Sequence, residues 1–497
     1  VTTPIYYVND RLHLGHAYTT IAADIFSRYY KLLGYDVFFL TGTDEHGGKV
    51  QQAAEKAGLK PKQFIDNLVI GIKDMWNLLD ISYDHFIRTT DKKHVKAIQN
   101  IAKRMYDNGD IYFGEYEGWY CKGCEAYFTD KEVSENKCPY GHEVNREKEE
   151  AYFFKLSKYQ DWLKNYITEH PEFLQPTSRR QEIISFIDQG LQDICISRKN
   201  VSWGIKLPFD KNYTMYVWLD ALFNYLTALG YPNGKKFKRY WSPVLQLMAK
   251  DIYRFHTIYW PIFLKSIDLD IPKSEFSHGW WTVEGVKMSK SFGNMIYPEL
   301  IVNEFGLDAF RYYLFKEMSF GEDGSFSRKT FIDRINNELV AGIGNLLSRV
   351  VTLAQKRNTE NGYKYFKDHS FIKPIEEKIT QINGYYESRE LTKVVNEIFS
   401  IAILSNKYVQ DNKPWELIES DPEKFDQVMY NLLEVLRILA VELSPIMTKK
   451  WKEIFAQLGL NPDDKKNQKL KFTKAMEGKI VKKGNYLFTK IDDKEKK

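Results

Sequence analysis

Four cysteines in 497 residues are too few for a disulfide framework. No apolar run reaches the roughly 20 residues that a membrane span requires, and no secretory leader opens the chain. Both common glycine-rich phosphate motifs are missing. Gly42 and Gly47 have the separation of a Walker loop, but Gly48 stands at its lysine position and Val50 at its hydroxyl position. A GxGxxG dinucleotide fingerprint is absent too. Charge of one sign is not in large excess, since 71 Lys and Arg against 66 Asp and Glu leave a net +5. Internal repeats and low-complexity stretches are lacking. These absences argue against a secreted disulfide scaffold, a membrane-spanning protein, a P-loop NTPase and a dinucleotide dehydrogenase. The chain also lacks an initial Met and opens directly on strand-like residues, so a few N-terminal residues are expected to precede it.

What remains is ordinary globular composition, 43% apolar and 28% charged, enough for two to four domains. Residues 2–8 are β-branched or aromatic and predict a strand. From His16, the apolar positions Ile21, Ile25, Tyr29, Leu32 and Leu33 follow helical spacing, and Gly34 supplies a stop. Residues 37–40 predict a short buried strand, followed by a turn, TGTDEHGG, at 41–48. This βαβ pattern predicts a doubly wound parallel sheet of Rossmann type, with its ligand at the C-terminal strand edge. The texture changes at 112–152 to Gly, Tyr, Cys and charge, which reads as an insertion. Strand and helix signals resume near Thr214. From about residue 330 strand signal is scarce, and segments 331–356, 373–385, 389–411 and 424–454 predict an α-helical bundle. The expected domains are 1–108 with 214–330, an inserted segment 109–213 with a knuckle at about 113–150, and 331–497.

Two short strings carry the chemistry. His13-Leu14-Gly15-His16 sets two imidazoles at i and i+3 where a strand hands over to a helix. Lys287-Met288-Ser289-Lys290-Ser291 is a doubly cationic loop flanked by Gly285 and Gly293 as candidate hinges. Together the two strings could grip the phosphates of one ATP from opposite sides, and a reaction at phosphorus gathers negative charge for which fixed donors matter more than a general base. A helix N-terminus offers N–H groups and a positive dipole end. His13 and His16 add ring N–H donors there, and Gly15 lets a nucleotide approach the backbone. The lysines form a clamp on the leaving group.

The pairing of these strings resembles the signature of class I aminoacyl-tRNA synthetases. Neighbouring residues narrow the resemblance to the methionyl-tRNA synthetases, over nearly the whole chain. The resemblance implies formation of methionyl-adenylate from L-methionine and ATP, with Mg2+ accompanying the ATP, then transfer of methionine to the 3′ end of tRNA(Met). It carries methionine contacts onto Ile5, Tyr7, Asp44, Trp218, Ala221, Tyr225, Ile252, His256 and Trp260. On residues alone, an anion such as Asp44 suits an α-amino group, whereas aromatics at helical spacing describe a core as readily as a pocket. ATP contacts are implied for His13, Gly15, His16, Asp251, Lys287, Ser289 and Lys290, with Lys290 foremost in the loop. One departure stands out: Ala249 occupies a position where the family pattern has glycine.

Cys121-x2-Cys124-x13-Cys138-x3-His142 supplies three thiolates and an imidazole, a donor set that tetrahedral Zn2+ accepts as a structural site. Thiols kept for metal predict a reducing, cytoplasmic setting. The last gap, x3, is longer than the x2 more common in one-knuckle relatives, so His142 is the weakest ligand on spacing. Cys195 lies apart and is expected in a core.

For RNA, Asn345 and Arg349 share a helix face at i and i+4, and Trp415 follows Pro414 at a predicted helix start. They fit a capped helix and a core tryptophan, and the resemblance implies contacts to the CAU anticodon. Residues 465–497 hold 12 Lys against 4 acidic residues, a net +8 that leaves −3 for the rest. That tail fits either a solubilising, partly disordered terminus or a phosphate-backbone contact.

Three alternative classes differ in what they require of the chain. A sister synthetase for Ile, Val or Leu would need an editing domain, for which there is no room. A cysteine enzyme would place its metal inside the pocket. A nucleotidylyltransferase or a non-catalytic RNA binder would not need the whole set of features. No appended C-terminal dimerisation domain is recognised, so a monomer is expected.

Overall fold

Six strands run parallel in the order His85–Arg88, Leu40–Asp44, Thr2–Tyr7, Leu245–Ala249, Ser274–His278 and Leu174–Gln175. The computed structural model describes residues 1–497 apart from 124, 125, 129, 131, 289–292, 358–360 and 493–497. Ser289, Lys290 and Cys124 therefore lie outside the described residues. The described chain forms two compact units: Val1–Leu12, Val37–Asn77 and Ile81–His278 make one, and His13–Asp36, Leu78–Asp80 and Gly279–Lys497 the other.

In the first unit, the strand order runs outward from Thr2–Tyr7 through Leu40–Asp44 and then restarts on its other side with Leu245–Ala249. That reversal is a topological switch point, where open α/β sheets bind ligands beyond the carboxyl ends of the strands. Tyr7 pairs in register with Asp44 there, and Asp251 and Ile252 follow the end of Leu245–Ala249. The second strand corrects the sequence expectation of 37–40, since it spans Leu40–Asp44. Burial on both faces removes the apolar alternation that would have marked it. Gly42 is required in this strand, because a Cβ there would meet the Ile87 carbonyl oxygen at 2.1 Å.

The insertion adds an antiparallel sheet ordered Ala126–Phe128, Ile111–Cys121, Asn145–Phe154 and Ile194–Cys195. Cys195 is buried with Ala151 and Phe153, as expected of a core thiol.

In the second unit, helix Leu14–Leu32 is anchored by a fully buried ion pair. The Arg311 guanidinium donates to Asp24 Oδ2 at 2.6 Å and to the carbonyls of Leu79, Pro445 and Ile446. Strands Trp281–Val283, Val286–Lys287 and Gly324–Phe326 form a small sheet that presents Lys287. The helical remainder comprises Arg328–Arg334, a π-helical stretch Ile335–Gly344, Asn345–Lys356, His369–Glu387, Leu391–Asn412, Pro414–Ser420, Pro422–Leu443 and Lys450–Gln457. The predicted segment 424–454 is thus two helices. Pro445 offers no N–H to continue the first. The described part of the basic tail is held in place: fully buried Arg437 donates to the carbonyls of Asn467, Lys469 and Lys471, and Ile491 exchanges two hydrogen bonds with Asn336. Among the described residues no helix is long and apolar enough to cross a membrane.

Candidate active site

His13 is the N-cap of helix Leu14–Leu32, and the two histidines cap that helix reciprocally. His13 Nδ1 accepts the Gly15 N–H at 3.1 Å, while His16 Nδ1 accepts the His13 N–H at 3.1 Å. An imidazole that accepts at Nδ1 carries its proton at Nε2 when neutral. Each neutral ring therefore carries its proton on Nε2. Burial, and then the neighbouring His13, push the His16 pKa well below its usual value, which favours the neutral ring. The ring centroids lie 4.1 Å apart.

This corrects the expectation that backbone amides of the first turn are available to a nucleotide. The Leu14 N–H goes to the Ile296 carbonyl at 2.9 Å, Gly15 to His13 Nδ1, and His16 and Ala17 to the His13 carbonyl. The role expected of Gly15 changes as well. A Cβ there would crowd His13 Cε1 at 3.1 Å, so glycine makes room for the capping ring. Lys287 is exposed, with Nζ 4.5 Å from the Trp280 ring centroid, and its carbonyl accepts from Asn294. Gly285 and Gly293 both take positive φ, 81° and 65°, a conformation suited to bends at either end of the loop.

In the other unit, the residues predicted for an amino-acid pocket gather at the sheet's switch point. Trp218, on helix Val217–Leu222, stacks on Phe255 at 3.9 Å and 5° and meets His256 edge-on at 6.2 Å. His256 lies in the π-helical stretch Phe255–Tyr259, a distortion frequent at functional sites. Its Nδ1 lies 3.0 Å from the Ile252 carbonyl, so Nδ1 donates. Its Nε2 accepts from the Tyr225 hydroxyl at 2.8 Å. Burial outweighs that carbonyl and lowers the His256 pKa to about 4. Trp260 is fully buried, packs 5.8 Å from Tyr225, and donates to Gln246 Oε1. Ile5, Tyr7, Trp218 and Ile252 are half-buried against the same apolar core, while Ala221 and Asp44 are buried and Asp251 is exposed.

Sequence reasoning missed the residues that fix Asp44's surroundings. Glu45 is buried, accepts from Thr43 and Arg88, and donates its backbone N–H to the Thr89 hydroxyl. Asp220 is buried between two imidazoles, His46 and His94, at 2.7 Å from each. Only a carboxylate offers two acceptors to two such rings, but nothing in the spacing of 46, 94 and 220 announces the contact.

At the knuckle, Cys121 Sγ and Cys138 Sγ lie 3.7 Å apart, as do Cys138 Sγ and His142 Nδ1. A tetrahedron with zinc–sulfur bonds of about 2.3 Å and zinc–nitrogen bonds of about 2.0 Å has S–S edges of about 3.8 Å and S–N edges of about 3.5 Å. A Cβ on Gly123 would sit 2.4 Å from the His142 ring, so glycine at 123 is what admits that imidazole. In the helical region, Asn345 is exposed and the Arg349 guanidinium lies 4.9 Å over the Trp415 ring, which is 41% exposed. That exposure rules out the core reading of Trp415.

Residues 1–148 and 141–351 match the family described as tRNA synthetases class I (M), and 360–497 match the anticodon binding domain of methionyl tRNA ligase. A methionine–tRNA ligase of Caldanaerobacter subterraneus subsp. tengcongensis is 46% identical over 99% of this chain and 78% of the relative. That of Clostridium acetobutylicum is 45% identical with the same coverage. A solved Mycobacterium tuberculosis methionyl-tRNA synthetase in complex with methionyl-adenylate superposes with a TM-score of 0.93 at 36% identity, covering 98% of each chain.

Proposed function

The chain belongs to the methionyl-tRNA synthetases, and from that membership we propose which of its residues perform each part of the methionine–tRNA ligase reaction. The methionine carboxylate attacks the α-phosphorus of ATP and the bond to pyrophosphate breaks. The tRNA 3′-terminal hydroxyl then takes the methionyl group and releases AMP. The His13 and His16 Nε2–H groups donate to phosphate oxygens as charge builds, with Gly15 admitting the His13 ring. Lys287, Ser289 and Lys290 hold the leaving pyrophosphate, Mg2+ accompanies the nucleotide, and Asp251 receives the ribose. What supports the histidine roles is the reciprocal cap, which fixes both tautomers before substrate arrives, the preorganisation that electrostatic catalysis requires.

Asp44 takes the methionine ammonium. Ile5, Tyr7, Trp218, Ala221, Tyr225, Ile252, His256 and Trp260 enclose the side chain. A neutral His256, held by Tyr225, suits an uncharged thioether better than a cation would. Asn345, Arg349 and Trp415 read the anticodon of tRNA(Met), where an exposed indole backed by a guanidinium offers a face for an unpaired base. Residues 1–108 with 214–330 serve catalysis, 109–213 the acceptor end, and 331–497 the anticodon. Cys121, Cys124, Cys138 and His142 hold a structural Zn2+, which cross-links the knuckle when bound. Thiolates kept for metal suit the cytoplasm.

Amino-acid-dependent ATP–pyrophosphate exchange without tRNA tests this reading. Exchange with methionine alone among the twenty amino acids supports the pocket assignment. Exchange with another amino acid overturns it.

A further inference from the structure

Asp220 joins three separate segments of the first unit. Its Oδ2 meets His46 Nδ1 at 2.7 Å and its Oδ1 meets His94 Nε2 at 2.7 Å. The carboxylate belongs to helix Val217–Leu222, which carries Trp218 and Ala221. His46 sits two residues beyond Asp44, in the turn that follows strand Leu40–Asp44. His94 is on helix Lys92–Asp107 and its Nδ1 reaches the Thr227 hydroxyl at 2.7 Å.

Elsewhere the turn is already tied down. The Trp203 indole donates to the Glu45 carbonyl at 2.6 Å, the Gly47 N–H to the Trp203 carbonyl at 3.1 Å, and the Val8 N–H to the Asp44 carbonyl at 3.1 Å. The His46–Asp220 contact connects this turn to the helix of Trp218. Each carboxylate oxygen accepts one ring N–H, so a one-residue error in either segment would break the pair. Burial raises the Asp220 carboxyl, but the charge and hydrogen bond of His46, followed by those of His94, outweigh it and hold it at about 2. An ionised, doubly bonded carboxylate in a buried site is a stiff link.

We propose that Asp220 is a positioning residue for methionine: through His46 it fixes the Asp44 turn, and through its own helix it fixes Trp218, so that the ammonium anchor and the side-chain wall keep one separation. The proposal rests on the reading of Asp44 and Trp218 as methionine contacts. It explains why a buried ionic group is kept where an apolar residue would pack more cheaply.

The experiment is steady-state pyrophosphate exchange with wild-type enzyme and the Asp220→Asn, His46→Gln and Asp44→Asn variants, titrating methionine and ATP separately. An amide at 220 keeps the shape but accepts only one of the two ring N–H groups. His46→Gln leaves the Asp220–His94 bond intact and so decides the matter if Asp220→Asn does not fold. Both are expected to raise the KM for methionine at least tenfold while the KM for ATP stays within about twofold. A purely structural role would lower the melting temperature and leave both KM values unchanged, or raise them together; either outcome overturns the proposal. If Asp44→Asn raises the methionine KM and the other variants do not, the positioning role alone fails. If Asp44→Asn has no effect, the pocket reading itself fails and the proposal with it.

Discussion

The Tyr225 hydroxyl donates to His256 Nε2 at 2.8 Å, and the ring's other nitrogen is committed to the Ile252 carbonyl. The imidazole is thereby neutral and oriented. With its pKa lowered to about 4 by burial, the folded protein resists the proton that an unfolded histidine takes up near 6.5. This group's contribution is complete above pH 6.5 and is lost as pH falls towards 4. Tyr225→Phe is expected to raise the KM for methionine about tenfold with kcat little changed, as exchange kinetics will show.

Zinc retention should depend on residue 123. Gly123→Ala places a Cβ 2.4 Å from the His142 ring and displaces it. Metal analysis of the purified variant, with chelator competition, is expected to show zinc lost at least tenfold more readily than from the wild type.

Arg349 and Trp415 should matter for RNA and not for activation. Base stacking on an aromatic side chain contributes about 1–3 kcal/mol, so Trp415→Ala is expected to cut kcat/KM for tRNA charging about 10–100-fold. Pyrophosphate exchange should stay at the wild-type rate. Equal losses in both assays would contradict the assignment.

Glu442, in helix Pro422–Leu443, is 1% exposed, and burial pushes its carboxyl up to about 8. A free glutamate titrates near 4.3. The raised folded pKa means that stability is full below about pH 4 and declines as pH rises to about 8. Glu442→Gln removes that slope. Denaturation of the variant should show a gain on the order of 5 kcal/mol at pH 8 and little change at pH 4.

The sequence exposed whatever depends on local pattern. The handover from strand to helix at His13 and His16 lies within four residues, the helical run from His16 is periodic, and the knuckle cysteines are close together. The second strand was misplaced because Thr41, Gly42, Thr43 and Asp44 carry no apolar alternation, and their pairing depends on neighbours distant in sequence. Residues 424–454 looked continuous because apolar spacing persists on both sides of Pro445, although that proline was itself the break signal. The amides of the first turn were expected to be available, yet their partners, His13 and Ile296, appear only once side chains and a segment from the far half of the chain are placed. Asp24 with Arg311, and Asp220 with His46 and His94, join residues more than a hundred positions apart. No period or spacing reports such contacts.

The central claim is that the Nε2–H groups of His13 and His16, and not the helix amides, stabilise the activated phosphate. Rapid-quench measurement of methionyl-adenylate formation in a single turnover tests it, comparing wild type with His16→Ala and with His13→Asn, which keeps a good N-cap. Loss of one such donor is expected to slow adenylate formation about 10²–10³-fold, with methionine affinity within about twofold of wild type. A His13→Asn enzyme that folds normally and forms adenylate at the wild-type rate would contradict the claim.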